Sequence, residues 1–277
     1  MNKEVKFILR YTGGNTDHHK INLYDAAISI QGISRALAIS TNAFLNDGEV
    51  RTRVDKIKNV DFFLKPSRTG SFVENISIIF SDEVVSTLGA AGLITYFWDW
   101  IEFTWRIASG KEGADMPKKA FNKKIVSKNP KLKEKIKSSL KDPLLNLHKP
   151  ISTENDIKIE IRRPSKGPII TFDKLSYDKI KSVEESEIVE DIIGNVTKYN
   201  HLTKYGRFYD DELESTVAFE LKDKTDQELE NIITTSLKES SINYKLGKII
   251  MKGIVKQDRN GVIKRYQFTF GEEYDFI

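Results

Sequence analysis

The stretch VTKYNHLTKYGRFYD, residues 196 to 210, interleaves cations with aromatic rings: Lys198, Tyr199, His201, Lys204, Tyr205, Arg207 and Phe208 fall within eleven positions. Rings of this kind stack on bases and the cations hold phosphates, which is how small β-barrels take single-stranded nucleic acid. Lys198, Tyr199, Lys204, Tyr205 and Arg207 are therefore the candidate ligand-binding residues. The competing reading is that alternate aromatics fill a barrel interior. Charge limits the chemistry further. Residues 187–277 carry 13 basic and 17 acidic side chains, so a strong non-specific grip on the nucleic-acid backbone is not expected. A short oligonucleotide or a nucleotide in a local pocket fits better, with single-stranded DNA as the strand class.

A second stretch, LITYFWDWIEFTWRI (93–107), holds all three tryptophans, Trp98, Trp100 and Trp105, and follows the uncharged run 84–92. Thr95, Asp99, Glu102 and Arg106 step by four, three and four, so a helix gathers them on one polar stripe. One reading is an amphipathic core helix. Another is a membrane or assembly element made of Trp98, Asp99, Trp100, Glu102, Trp105 and Arg106, because Trp and Tyr favour membrane interfaces and a Lys-rich segment follows. Only fifteen residues from Val84 to Trp98 lack charge, short of the roughly 18 to 20 of a spanning helix. An interfacial or conditionally inserted helix fits that length better, its acidic stripe shared between copies of a homo-oligomer or lining a cation path. A third reading is a protein–protein contact.

Other residues carry weaker chemistry. KPSRTGSF (65–72) puts Lys65 and Arg68 beside Gly and hydroxyl groups without Walker spacing, so it reads as a hairpin turn. His18 and His19 are adjacent in a loop, DDELE (210–214) reads as a solvated turn, and no Ser-His-Asp or His-Glu-x-x-His pattern occurs. Neither catalytic residues nor a metal or cofactor site is expected. The chain has no cysteine, which removes disulfides and thiolate metal sites. Its first residues lack an apolar signal segment, which predicts a cytoplasmic protein.

The elements that must position these residues follow from periodicity. Residues 5–11 read as a strand, and 22–48 as a helix capped by Asn22 and stopped at Gly48. Residues 60–65 and 71–80 read as a hairpin with Gly70 at positive φ, and 84–107 as the aromatic helix. Residues 111–150 hold 12 Lys and 4 acidic side chains; the segment 109–150 reads as a basic connector with one helix near 131–147. A hairpin at 157–163 and 168–173 leads into strands near 187–200, 204–210 and 214–221. A helix at 226–240, capped at Thr225, and two strands joined at Asn260–Gly261 complete the chain. The expected fold is α+β, with an N-terminal α/β layer (1–108), the connector (109–150) and a C-terminal five-stranded barrel of OB type (151–277).

Three segments, INLYDAAISIQGISRALAISTNAFLN, RTGSF and GNVTKYNHLTKYGRFY, resemble an uncharacterised bacterial family that joins an N-terminal α/β domain to a C-terminal five-stranded β-barrel. Together with the aromatic helix, this order also resembles the membrane effector of the two-gene Hailong anti-phage systems. That resemblance implies a non-catalytic, oligomeric, nucleotide- or oligonucleotide-gated ion channel. It implies an operon-encoded nucleotidyltransferase as partner, and a cytoplasmic protein that meets the inner membrane conditionally. The alternative is a soluble single-stranded nucleic-acid-binding or adaptor module with the aromatic helix buried in its core.

Overall fold

The computed structural model describes residues 2–52, 56–65, 73–111, 113, 115–182, 184–257 and 262–274. The turn at 68–72, with Arg68 and Gly70, and the Asn260–Gly261 turn lie outside the described residues. The chain divides into two compact units, Met1–Lys181 and Ser182–Ile277.

The first unit begins with β1 (Lys3–Thr12) and a short 3-10 turn, then α1 (Leu23–Leu45), β2 (Val60–Lys65), β3 (Val73–Phe80), α2 (Asp82–Leu88) and α3 (Ala90–Ala108). After these come α4 (Ala120–Lys128), α5 (Leu132–Leu147), α6 (Lys149–Thr153), β4 (Lys158–Arg163), β5 (Gly167–Phe172) and α7 (Lys174–Lys181). The strands form an antiparallel sheet in the order β2-β3-β1-β4-β5. Alternate residues of the central strand, Val5, Phe7, Leu9 and Tyr11, are buried in one core with α1, α3 and α5. α1 starts where expected: the Asn22 side chain accepts from the backbone N–H of Tyr24 and Asp25. It can lie close to α5 because position 32 is Gly. A Cβ there would stand 2.3 Å from the Leu147 nitrogen and 2.6 Å from the Pro143 oxygen.

Two expected boundaries are corrected here. Residues 109–150 are not a connector. Leu132, Ile136, Leu140, Leu144 and Leu147 recur at helical spacing and are all buried, while Lys133, Lys135 and Lys137 are half-buried beside that stripe and Lys141 is buried. The lysine count hid that stripe. The 157–173 hairpin belongs to the first sheet and not to the barrel, because β4 pairs with β1, Leu9 opposite Ile161 and Tyr11 opposite Ile159. The barrel unit therefore starts after Lys181 rather than at 151.

The second unit contains β6 (Glu184–Asn200), β7 (Tyr205–Asp210), β8 (Ser215–Leu221), α8 (Gln227–Ile242), β9 (Ile249–Gln257) and β10 (Ile263–Glu273). Its five strands close in the order β10-β8-β7-β6-β9, with β10 and β8 parallel and the other described pairs antiparallel. This is OB connectivity, with the helix between the third and fourth strands. β6 serves both sheets of the barrel: its first part pairs with β9, its last part with β7, and the change falls at Gly194. A Cβ at Gly194 would stand 1.9 Å from the Tyr209 oxygen, so only glycine allows the strand to bend there. Val196, Phe208, Phe219, Met251 and Phe268 fill the interior. The α8 cap is Asp226, one residue after the expected Thr225; its carboxylate accepts from the Leu229 N–H.

Candidate nucleic-acid interface

Strand alternation in β7 turns Phe208 inward, where it is fully buried, and leaves Arg207 exposed and Tyr205 half-buried on the outer face. Cross-strand register then builds a row. Lys198 of β6 lies opposite Arg207, Arg207 opposite Ala218 of β8, Ala218 opposite Arg265 of β10, and Arg265 opposite Lys256 of β9. The Arg265 guanidinium lies 4.7 Å from the centre of the Tyr205 ring. Glu220 holds it there by accepting from Arg265 Nη1 at 3.0 Å, and Glu220 also accepts from the Gln267 amide at 3.3 Å. The outer face thus offers a cation-backed aromatic ring beside two exposed cations, the pieces needed to stack a base and hold phosphates.

The five sequence candidates divide into two groups. Lys198, Tyr205 and Arg207 share this face. Tyr199 and Lys204 meet α8 instead: the Tyr199 hydroxyl donates to Glu230 Oε1 at 3.0 Å and Lys204 Nζ to Oε2 at 2.6 Å. The Tyr199 ring also stacks parallel to Phe219, with 6.1 Å between centres. Burial and the Glu230 carboxylate push the Tyr199 hydroxyl above its ordinary pKa, and Lys204 holds Glu230 below the usual carboxylate range. These two residues fasten the helix to the barrel. No local sequence pattern points to Arg265, because the parallel β8–β10 pairing that brings it to Tyr205 is non-local.

The second set of candidates sits in the core of the first unit. Trp98 is 4% exposed and stacks on Phe7 at 4.0 Å; Trp100 and Trp105 are fully buried. Both buried indole N–H groups are satisfied by one α1 residue: Trp100 donates to the Ser40 carbonyl and Trp105 to the Ser40 hydroxyl, each at 2.9 Å. The polar stripe also has internal partners. Asp99 accepts from the backbone N–H of Lys118 (2.8 Å) and Lys119 (2.9 Å) and from Asn122 Nδ2 (2.8 Å), capping α4 from outside it. Glu102 accepts from Lys118 Nζ at 2.8 Å and lies 3.7 Å from Arg106. In this structure, then, Trp98, Trp100 and Trp105 are core residues and not an exposed membrane or assembly surface. Asp99 and Glu102 serve the fold. Among the described residues no single helix is long and apolar enough to cross a membrane. α2 and α3 together meet that length and composition but are bent by 89°.

Residues 7–181 match the model of a domain of unknown function, DUF7946. The chain belongs to the DUF7946 family. Residues 189–267 match a second model, a family of unknown function, DUF7947, which lies within the barrel unit. No curated protein and no solved structure matches the chain. The DUF7946 match ends at Lys181, where the first compact unit ends.

The DUF7946 unit also contains a serine–histidine contact that no sequence motif announced. His148 Nδ1–H donates to the Leu144 carbonyl at 2.6 Å, and its Nε2 lies 2.9 Å from Ser176 Oγ. Both side chains are buried, and Phe172 packs edge-on against the imidazole at 4.8 Å. Burial pushes the imidazole down to a pKa of about 4. The pair ties α7 to the end of α5; with Ser176 Oγ enclosed, it is not placed to attack a substrate. Among the described residues no group of three or more His, Asp or Glu is placed to hold a metal ion.

Proposed function

We propose that the chain is a non-catalytic binding protein whose barrel takes single-stranded nucleic acid or a short oligonucleotide, with the DUF7946 unit as its structural body. The observation that carries this reading is the Tyr205 ring backed by Arg265, flanked by exposed Arg207 and Lys198. Stacking contributes about 1–3 kcal/mol per base, and a strand supplies bases that a duplex keeps enclosed. With 13 basic and 17 acidic side chains over 187–277, affinity rests on this local site and not on overall charge. Fluorescence anisotropy of the full-length protein with a labelled 12-nucleotide single strand and its duplex tests it. The single strand should bind more tightly, and Tyr205→Ala or Arg265→Ala should weaken it about tenfold. Equal affinity for duplex and strand, or indifference to both substitutions, refutes the interface.

A second reading is that of an oligomeric, oligonucleotide-gated membrane effector in anti-phage defence, partnered by a nucleotidyltransferase. The bent α2–α3 pair favours it by length and composition, and Val84, Val85 and Leu88 of α2 are only partly buried. The deep burial of α3 favours the binding module. Membrane depolarisation on expression, lost when α2 is made polar, would support the effector reading.

A further inference from the structure

The barrel unit carries a groove of about 610 Å³ between the outer side of the β6–β7 hairpin and the C-terminal half of α8. Its volume falls in the range of small-ligand pockets, roughly 300–1,000 Å³. Two tyrosines line it: Tyr209 from β7, 37% exposed, and Tyr244 from the loop after α8, 73% exposed. Solvent-exposed rings on a groove are costly to leave in water and suit a flat partner. Leu237 adds an apolar wall, and the Lys245 ammonium lies 6.0 Å from the centre of the Tyr244 ring. Asp211 and Lys248 also line the groove and pair with each other, Nζ donating to Oδ2 at 2.6 Å. A carboxylate held beside an ammonium presents an acceptor and a donor side by side.

We infer that this groove binds the base of a purine nucleotide. Adenine presents its N6–H donor next to an acceptor nitrogen, and guanine presents N1–H next to O6, so each purine edge complements the Asp211–Lys248 pair. Pyrimidine edges share that pattern, but the bicyclic ring offers more surface to Tyr209 and Tyr244, and stacking is what sets the preference. The groove also continues the strand-binding face. Tyr209 follows Arg207 by two residues on the same side of β7, and the Thr197 hydroxyl, inside the groove, donates to the Arg207 carbonyl at 3.2 Å. The inference deepens the oligonucleotide-binding reading and rests on it only for the direction of the strand, since a free nucleotide tests the groove alone.

Calorimetric titration of the full-length protein with AMP, GMP, CMP, UMP and ribose 5-phosphate reads it directly. AMP and GMP should bind at least about fivefold more tightly than CMP and UMP, and ribose 5-phosphate more weakly than any of them. Tyr244→Ala should cost about tenfold for AMP and GMP, and Tyr244→Phe, which keeps the ring, should restore it. Asp211→Ala should weaken the purine nucleotides about tenfold without changing ribose 5-phosphate. No nucleotide binding, equal binding of all four, or insensitivity to Tyr244→Ala overturns the groove. Labelled single strands, with Arg207→Ala as control, separate the two readings. A strand that binds through Arg207 without purine preference defeats the groove alone. A nucleotide that binds through Tyr244 when no strand does upholds the groove and defeats the strand-binding interface.

Discussion

Replacing Asp99 with Ala distinguishes a fold-supporting role from a conducting one. Asp99 is 7% exposed and its carboxylate receives two backbone N–H groups at the start of α4 and one from the Asn122 amide. Lys118 and Lys119 are exposed, so their N–H groups regain water when the carboxylate is removed, and the loss there is that of a helix cap, about 0.5–2 kcal/mol. Asn122 is fully buried; its Nδ2 keeps its bond to the Tyr96 carbonyl at 2.8 Å, and stranding its other N–H adds about 1–3 kcal/mol. The expected cost is about 1.5–5 kcal/mol in all. Glu102→Ala is the internal control. Its partner Lys118 has a side chain 72% exposed, so that pair contributes about 1 kcal/mol or less. Urea unfolding followed by tryptophan fluorescence reports on the first unit alone, because Trp98, Trp100 and Trp105 all lie in α3. If the stripe lined an ion path and did nothing for the fold, Asp99→Ala would make α3 more apolar and leave stability unchanged or raised. A loss for Asp99→Ala no larger than that for Glu102→Ala refutes the capping role.

Three further outcomes follow from named contacts. His148 has a folded-state pKa of about 4 against 6.5 unfolded, so the unfolded chain binds the extra proton. Stability should be intact above pH 6.5 and fall by about 3 kcal/mol as pH drops to 4. His148→Gln should flatten that slope in urea melts, and an unchanged slope would show that other groups set it. Gly32→Ala gains about 1 kcal/mol of helix propensity, but its methyl meets backbone atoms of α5 at 2.3 and 2.6 Å. Overpacking should win, for a net loss of about 2 kcal/mol by thermal melting; a stabilised variant would show that α1 and α5 separate easily. Glu230→Gln weakens the hold of Lys204 and Tyr199 on α8. Amide exchange should then speed up in the first turns of α8 and stay unchanged in α1.

The barrel was legible because its signals are local. Period-two runs, the α8 cap region and the order of elements each follow from near neighbours, and the five strands formed as the pattern required. The division between units was not legible, since β4 and β5 resemble any hairpin until their pairing with β1 is known. Lysine-rich α5 misled for a related reason: charge dominates its composition, but five apolar residues at helical spacing decide its burial. At the candidate interface, alternation separates Arg207 from Phe208, and this was readable. The Tyr199–Lys204–Glu230 cluster was not, because it joins residues about thirty positions apart.

The same contrast explains why one stripe supported two opposed readings. Helical spacing states that Thr95, Asp99, Glu102 and Arg106 share a side of α3, but it does not name what lies against that side. A carboxylate pair on an aromatic helix is expensive in lipid and inexpensive against a helix N-terminus, and the difference depends on residues 117–122, which the Lys-rich composition marks as part of a basic connector. α4 begins at Ala120, and Asp99 supplies the acceptor for the N–H of its N-cap residue Lys119 and of Lys118 just before it. The tryptophans follow the same logic. An indole in a core must find a partner for its N–H, and Ser40 offers a carbonyl and a hydroxyl to two of them at once. For α3 to leave this core and enter a membrane, it would have to break both indole bonds, release the α4 cap and uncover Phe7 and Phe44. Any ligand that drives such a change must bind the opened state more tightly by the whole of that cost.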